Sequence, residues 1–590
     1  MSSSDFEKVC VQDDVLNTTD KVRYAVFKGA QNITPAQYNA ISTSTSSITW
    51  NIQLPSESTV FSRRIMVQAT IAVSITGSFA ATAPAGSVLV NYGYASALGP
   101  FPLQSLCNTI QATINNNTVS QNQRDVMFQL LRFNDRRELA RYNNACPTMY
   151  DSYLNYDEAL GTNNNPLAAW NNVSNDQDFQ PRGSFAITSI TGNDPKGSIA
   201  SNDRTVVITF TTQEPLMLSP FIWCDPKSNN QGMYGVQTLN FVFNLGQPNK
   251  IVRLANEALF AAAPVVSLQP GSITNARLLM EFYTRQPSDL VSSRNVVPFA
   301  EYPRYLTPCP SLAAQPAPAV PPTFSTSGLV SFQSIQLNSV PDKLIICVRK
   351  VLASQTIFDS DSFLPITAVN FNFNNKAGLL SGATQWDLWR MSVESGSNQT
   401  WAEFSGYAPL GDNVPFVSGT NSGYKQISTC GSVLCLEMGR HIELDDVYAP
   451  GSIGAFQLQF QVNYQNNTTT AIDAANPYEI VLITMNSGVF TIERGTSQTY
   501  TAILSRADVL SVSSQPSYSK SAVARLVGGS WEDSFKSLCS SLSPYAGKAE
   551  KVKDLIMGEG VSGGAGSSGG AGTSGGAGSS GGRMRRHLAM

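Results

Sequence analysis

The feature that most constrains this chain is a two-residue alternation of apolar and polar side chains. In "FQLQFQVNY" (456–464), Phe456, Leu458, Phe460, Val462 and Tyr464 face one way, and Gln457, Gln459, Gln461 and Asn463 the other. Successive side chains on a strand point to opposite faces, so this stretch reads as a strand with one buried and one wet face. "NARLLMEFY" (275–283) repeats the pattern with Ala276, Leu278, Met280 and Phe282. "SRRIMVQATIAVSITG" (62–77) and "DRTVVITFTTQ" (203–213) are rich in β-branched residues and also read as strands. Clusters of Gly, Pro, Asn and Asp separate these runs.

The same words recur in two halves. "WNIQLPSES" (50–58) precedes a strand, and "QSIQLNSVPDK" (333–343) precedes "LIICVRKVL". "YGVQTLNFVFN" (234–244) aligns without gaps against "IGAFQLQFQVN" (453–463). Each half holds one stretch at helical spacing. These are 123–142, with Val126, Leu130 and Phe133, and 381–395, with Trp386, Trp389 and Val393. A length of 590 residues suits about four domains at roughly 150 each, or two sandwiches of about 200–250 plus tails. The shared order favours duplication. The expected fold is all-β: two tandem eight-stranded antiparallel jelly rolls, each with an inserted helix, plus a C-terminal amphipathic helix and a flexible tail. The expected units are an N-terminal arm (1–20), a first roll (21–255), a connector (256–272), a second roll (273–510) and a linker (511–529). The Pro-rich stretch 307–324 reads as a long loop of the second roll.

Charged residues make up only 14% of the chain, against roughly 25% in an average soluble protein. Asn, Gln, Ser and Thr take their place, giving a polar, uncharged surface suited to protein contacts. A net charge of −3 argues against electrostatic nucleic-acid binding by the protein as a whole. Arg583, Arg585 and Arg586 form a basic tip, read as a solvated tail or a weak nucleic-acid contact. No signal peptide or run of about 18 apolar residues is seen. The nine cysteines include no CxxC pair and read as free thiols made in a reducing compartment, so the product is expected not to be secreted.

Catalytic chemistry is poorly supplied. His441 and His587 are the two histidines, and no zinc-spaced set or phosphate-binding glycine loop occurs. No metal or cofactor is expected. Asp359 with Asp361, and Glu443 with Asp445 and Asp446, are the carboxylate sets a glycosidase would need. "ELDD" (443–446) is otherwise a hard-oxygen calcium ligand set or a polar turn before Pro450-Gly451. Trp386 and Trp389 read as core at helical spacing, or as a sugar platform.

The end of the chain changes character. Trp531, Phe535, Leu538, Leu542, Tyr545, Ala549, Val552 and Ile556 fall at spacings of 4, 3, 4, 3, 4, 3 and 4. An amphipathic helix is expected over 530–557, kinked at Pro544. A Gly/Ser-rich flexible tail with the basic tip follows over 558–590. The helix either packs back on the body or is a detachable segment.

"RNVVPFAEYPRY" (294–305), 372–406 and "GSVLCLEMGRHIELDDVYAPGSIGAFQLQFQVN" (431–463) resemble the double jelly-roll major capsid proteins of tailless icosahedral double-stranded DNA viruses. These include virophages, Polinton-like viruses and adintoviruses, and more distantly adenovirus hexon. The resemblance spans about residues 20–505. It implies a non-enzymatic virion protein, made in the host cytoplasm or nucleus, that forms pseudo-hexameric homotrimers. Its implied partners are neighbouring capsomers, penton and minor capsid proteins, and a viral maturation protease. Leu526-Val527-Gly528-Gly529 before Ser530, and Ile556-Met557-Gly558-Glu559 before Gly560, resemble sites cut by adenovirus-type cysteine proteases. Leu526, Gly528, Ile556 and Gly558 would be the recognised residues. A released amphipathic helix would then act on a membrane. The alternatives are a carbohydrate-binding or glycoside-cleaving β-sandwich, and a capsid protein of another viral class.

Overall fold

The computed structural model describes residues 32–504, apart from 57–58, 155, 157–166, 168–179, 222–231, 285–293, 315–325, 411–424, 446–447, 469, 494 and 503. Among the described residues two antiparallel sandwiches follow one another. The first sets a seven-stranded sheet against a five-stranded one, and the second six against five.

In the first sandwich, Met66–Ser78 is flanked by Asp203–Pro215 and Val265–Thr284. Val67, Ala69, Ile71, Val73 and Ile75 point into the core. Thr70 between them points out and meets Thr211 at 2.9 Å across the sheet. The facing sheet runs Ser42–Thr43, Ser47–Gln53, Thr238–Leu245, Cys107–Ile114, Asn117–Gln121. The second sandwich repeats this plan. Lys343–Lys350 lies between Tyr478–Glu493 and Val433–Glu437, and Ser327–Ser331, Ile335–Ser339, Ile453–Gln465, Ile366–Phe373 and Lys376–Leu379 form the facing sheet.

The recurring words occupy equivalent places. Ile52 of the first "IQL" lies opposite Leu239, and Ile335 of the second lies opposite Leu458. Leu239 and Leu458 are the same position in the ungapped match of the two alternating strands. Repeat and register therefore agree, and a one-residue slip would put every apolar side chain on the wrong face.

Three expectations are corrected. First, residues assigned to a connector (256–272) and to the start of the second roll form one strand, Val265–Thr284, in the first sandwich. Pro270-Gly271 resembles a turn but sits in a register break between Leu268 and Ile273, with Gly271 at φ +77°. Ala276, Leu278 and Met280 accordingly pack in the first core. Second, 123–142 is not one helix. Gln123–Leu130 is followed by a tight turn and then Arg136–Leu139, because the Asp135 side chain accepts from the Arg137 N–H and starts a new N-terminus. Third, in the helix Gln385–Glu394 it is Leu388 and Ser392 that are buried, while Trp386 and Val393 are 50% and 42% exposed.

Candidate functional site

The joint between the sandwiches holds the densest concentration of buried chemistry described. It begins with three strands that do not alternate: "KLIICVRK", "VLCLE" and the start of Tyr478–Glu493, "YEIVLIT". Continuous apolar runs belong to a sheet covered on both faces. Leu344, Ile346, Leu434, Leu436, Ile480 and Leu482 fill the second core. Their neighbours Ile345, Cys347, Val433, Cys435, Val481 and Ile483 point the other way, onto Phe101, Val126, Met127, Phe128 and Leu131 of the first sandwich. The helix Gln123–Leu130 thus lies on the outer face of the second sandwich's sheet. Its Gln129 Nε2 donates to Cys347 Sγ at 3.3 Å. Burial of each such side chain stabilises by roughly 1.5–3 kcal/mol.

Charge pins this apolar contact. Asp125 on that helix pairs with Arg349 and Arg304 of the second sandwich, and Arg349 also meets Glu479 at 2.9 Å. Arg136 pairs with Glu403. Asp361, from the loop after Lys343–Lys350, reaches into a set of cations from the first half. Its Oδ1 accepts from Arg253 at 2.8 Å and lies 3.2 Å from Lys250 Nζ. Arg132 donates to the Asp361 carbonyl at 2.7 Å and to the Asp151 carbonyl at 3.0 Å. The Arg132 guanidinium also lies over the Tyr150 and Phe363 rings, 4.8 and 5.1 Å from their centroids. Asp151 completes the set by pairing with Arg182 at 2.7 Å and accepting from the Asp361 N–H at 2.7 Å. Burial opposes the charged form of Asp361, but Arg253 and then Lys250 outweigh it and hold the carboxyl well below the usual range. Burial and the adjacent Arg253 push the Lys250 ammonium down to about 8.

The long strand Tyr478–Glu493 also crosses the joint. Its first half pairs with Lys343–Lys350, whereas Phe490 and Ile492 near its end lie in the first core. Ser497, just beyond, donates its N–H to Asn116 Oδ1 at 2.8 Å.

The sequence-based candidates are distributed otherwise. Leu526, Gly528, Gly529, Ser530, Ile556, Gly558, Glu559 and Gly560 lie outside the described residues, as do Trp531, Phe535, Leu538, Leu542, Tyr545 and Val552. Asp359 is not poised for acid–base chemistry. Burial raises its carboxyl, but Lys350 at 3.0 Å leads the effects that bring it below the ordinary value. Asp361 is the latch just described. Glu443 and Asp445 share Lys376, at 2.6 and 3.6 Å, and Asp446 lies outside the described residues. His441 Nδ1 accepts the Glu437 N–H at 3.1 Å, closing a turn. Trp386 packs against Trp389 and Trp401, with ring centroids 4.7 and 4.9 Å away.

Sequence reasoning did not pick out Asp151, Arg182, Lys250 or Arg253. The available signal was the loss of alternation in 343–350, 433–437 and 478–484, which marks a sheet with a second buried face.

Comparison with known proteins gives the same two-part division. Residues 4–283 match the family "Sputnik virophage major capsid protein 1st domain", and 302–488 match "Major capsid protein V20 C-terminal domain". The first match ends within the strand that closes the first sandwich. The chain is 26% identical to capsid protein V20 of Sputnik virophage over 569 residues, covering 94% of this chain and 90% of that one. Among solved structures, a chain of the Sputnik virophage particle superposes with a TM-score of 0.73 at 25% identity, covering 88% of this chain and 97% of that one. The mavirus major capsid protein superposes with a TM-score of 0.63 at 14% identity, covering 85% and 96%, and is alike in fold.

Proposed function

Because the chain belongs to the double jelly-roll major capsid proteins of virophages, we propose that it acts as a non-catalytic homotrimer whose six sandwiches form a pseudo-hexagonal building block of an icosahedral shell. The observation that carries this is the joint. An apolar contact, a buried latch of ion pairs and a shared strand fix two like sandwiches into one body. A ring of six similar blocks needs that fixed geometry. In the shell, neighbouring capsomers, penton and minor capsid proteins are the partners.

The segment 530–557 is proposed as a maturation element. A viral protease would cut between Gly529 and Ser530 and between Glu559 and Gly560. Gly528 and Gly529 precede the first cut and Gly558 and Gly560 flank the second, and glycine is the residue type that least obstructs a protease binding extended backbone. The released amphipathic stripe suits a membrane surface, and the basic tip suits a weak contact with nucleic acid or membrane. The test compares the full chain with residues 1–529 by solution mass and negative-stain microscopy. Trimers with a hexagonal outline are expected from both. Compact monomers from both would refute the capsomer and redirect attention to glycan binding.

A further inference from the structure

The duplicated halves are unequal in one respect, and it locates a second joint. The helix of the first half is covered by the second half, whereas the helix of the second half has no such cover among the described residues. The two helices align as "QRDVMFQLL" (123–131) and "QWDLWRMSV" (385–393), with Val126 and Leu388 both fully buried as anchors. Phe128 and Leu131 touch the neighbouring sheet. The corresponding Arg390 and Val393 are exposed, as is Trp386.

The sheets correspond just as closely. Met66 pairs with Pro215 and Leu279, and Lys343 pairs with Glu437 and Met485, so Met66 and Lys343 are equivalent. Stepping from there, the six apolar positions that receive the first helix correspond to Gln68, Thr70, Thr211, Gln213, Thr274 and Arg277. These alternate with the core residues and face away from the first core, with Thr211 and Thr274 exposed and Gln68, Thr70, Gln213 and Arg277 half-buried.

We infer that the bare face of the helix Gln385–Glu394 seats on this polar sheet face of a second copy, repeating between chains the contact made within one. This rests on the trimer proposed above and specifies its interface. The contact is head-to-tail, so it propagates until it closes, and three copies would place six sandwiches in a ring. Trp386 is the anchor type that dominates interfaces.

Two full-length variants test it. One spoils the helix face (Trp386→Asp with Val393→Asp), the other the sheet face (Thr70→Arg). Circular dichroism and melting check the fold, and sedimentation reads the mass. Wild type is expected to be trimeric and each variant monomeric, with association weakened on the order of 30-fold or more. Mixed, the variants should form a one-to-one dimer, because each supplies the face the other lacks. If both variants remain trimeric, this interface is wrong and the trimer stands. If wild type is itself monomeric, both fall. Should the double substitution unfold the helix, Val393→Lys alone carries the same expectation.

Discussion

Replacing Asp361 with asparagine removes a charge at the joint and almost no volume. The side chain is 1% exposed, so the change falls on a group removed from water. It leaves Arg253 and Lys250, formerly 2.8 and 3.2 Å away, as two buried cations without their carboxylate. Breaking a buried pair by removing one partner costs about 3–5 kcal/mol. Lys250, already pushed down to about 8, can shed its proton more easily than Arg253, which keeps the cost near the lower figure. At about 2.1 cal/mol/K per residue, 590 residues unfold with an entropy of about 1.2 kcal/mol/K. A loss of about 3 kcal/mol then lowers the midpoint by about 2–3 °C if the body melts as one unit. Because the latch ties segments of both sandwiches, differential scanning calorimetry should also show one endotherm splitting into two. The pH dependence has a definite sign. The depressed carboxyl contributes stability that is fully present above its unfolded value near 3.9 and is lost as pH falls through the folded value. The gap between wild type and variant should therefore close as pH falls below about 4, and it should also narrow as pH rises toward 8 and Lys250 sheds its proton in the variant. A variant melting within about 1 °C of wild type, as one transition at neutral pH, would refute a load carried by this latch.

Glu214 should behave oppositely: burial pushes it up to about 7 against the Leu103 and Gln104 N–H groups, so wild type loses about 3 kcal/mol as pH rises from 4.5 to 7, and Glu214→Gln should flatten that stretch of a melting-versus-pH curve. Gly431 has φ +75° and its missing Cβ would overlap the Phe363 carbonyl oxygen, so Gly431→Ala should cost about 3 kcal/mol or more and lower soluble yield. Ile345 and Gln68 are equivalent positions with opposite surroundings: Ile345→Gln should destabilise by about 2–4 kcal/mol, while Gln68→Ile should leave the melting temperature of the monomer unchanged and tighten association measured by sedimentation.

Strand identity and register were legible because a strand writes its burial locally, every second residue. The paired words around Ile52 and Ile335 needed no partner to be recognised. The strand Val265–Thr284 was hidden by Pro270-Gly271, whose turn chemistry is real but spent on a break inside the strand. The helix Gln385–Glu394 showed a stripe, yet spacing says only that Trp386 and Val393 share a side, not that the side is covered. The latch was illegible for a different reason. Arg132 and Asp361 are 229 residues apart, and Arg253 and Asp361 are 108 apart, so no local pattern links them. The tail residues lie outside the described part of the chain, and their roles rest on sequence alone.

The unequal outer faces also account for the unusual composition. Both sheets derive from one plan, yet one shows Ile345, Cys347, Val433 and Val481 where the other shows Gln68, Thr70, Thr211 and Thr274. The apolar face is covered by its own chain and need never meet water, so hydrophobic side chains are safe there. On the interface proposed above, the polar face is covered only on assembly and must first remain soluble, where an apolar patch of that size would invite indiscriminate aggregation. Lysine and glutamate would give solubility, but covering them without a partner is costly. Threonine and glutamine hydrate well and shed water at less cost, because their hydroxyl and amide groups can re-form hydrogen bonds across a contact. On that proposal, faces of this kind favour uncharged polar side chains over charged ones, in line with a charged fraction of only 14%.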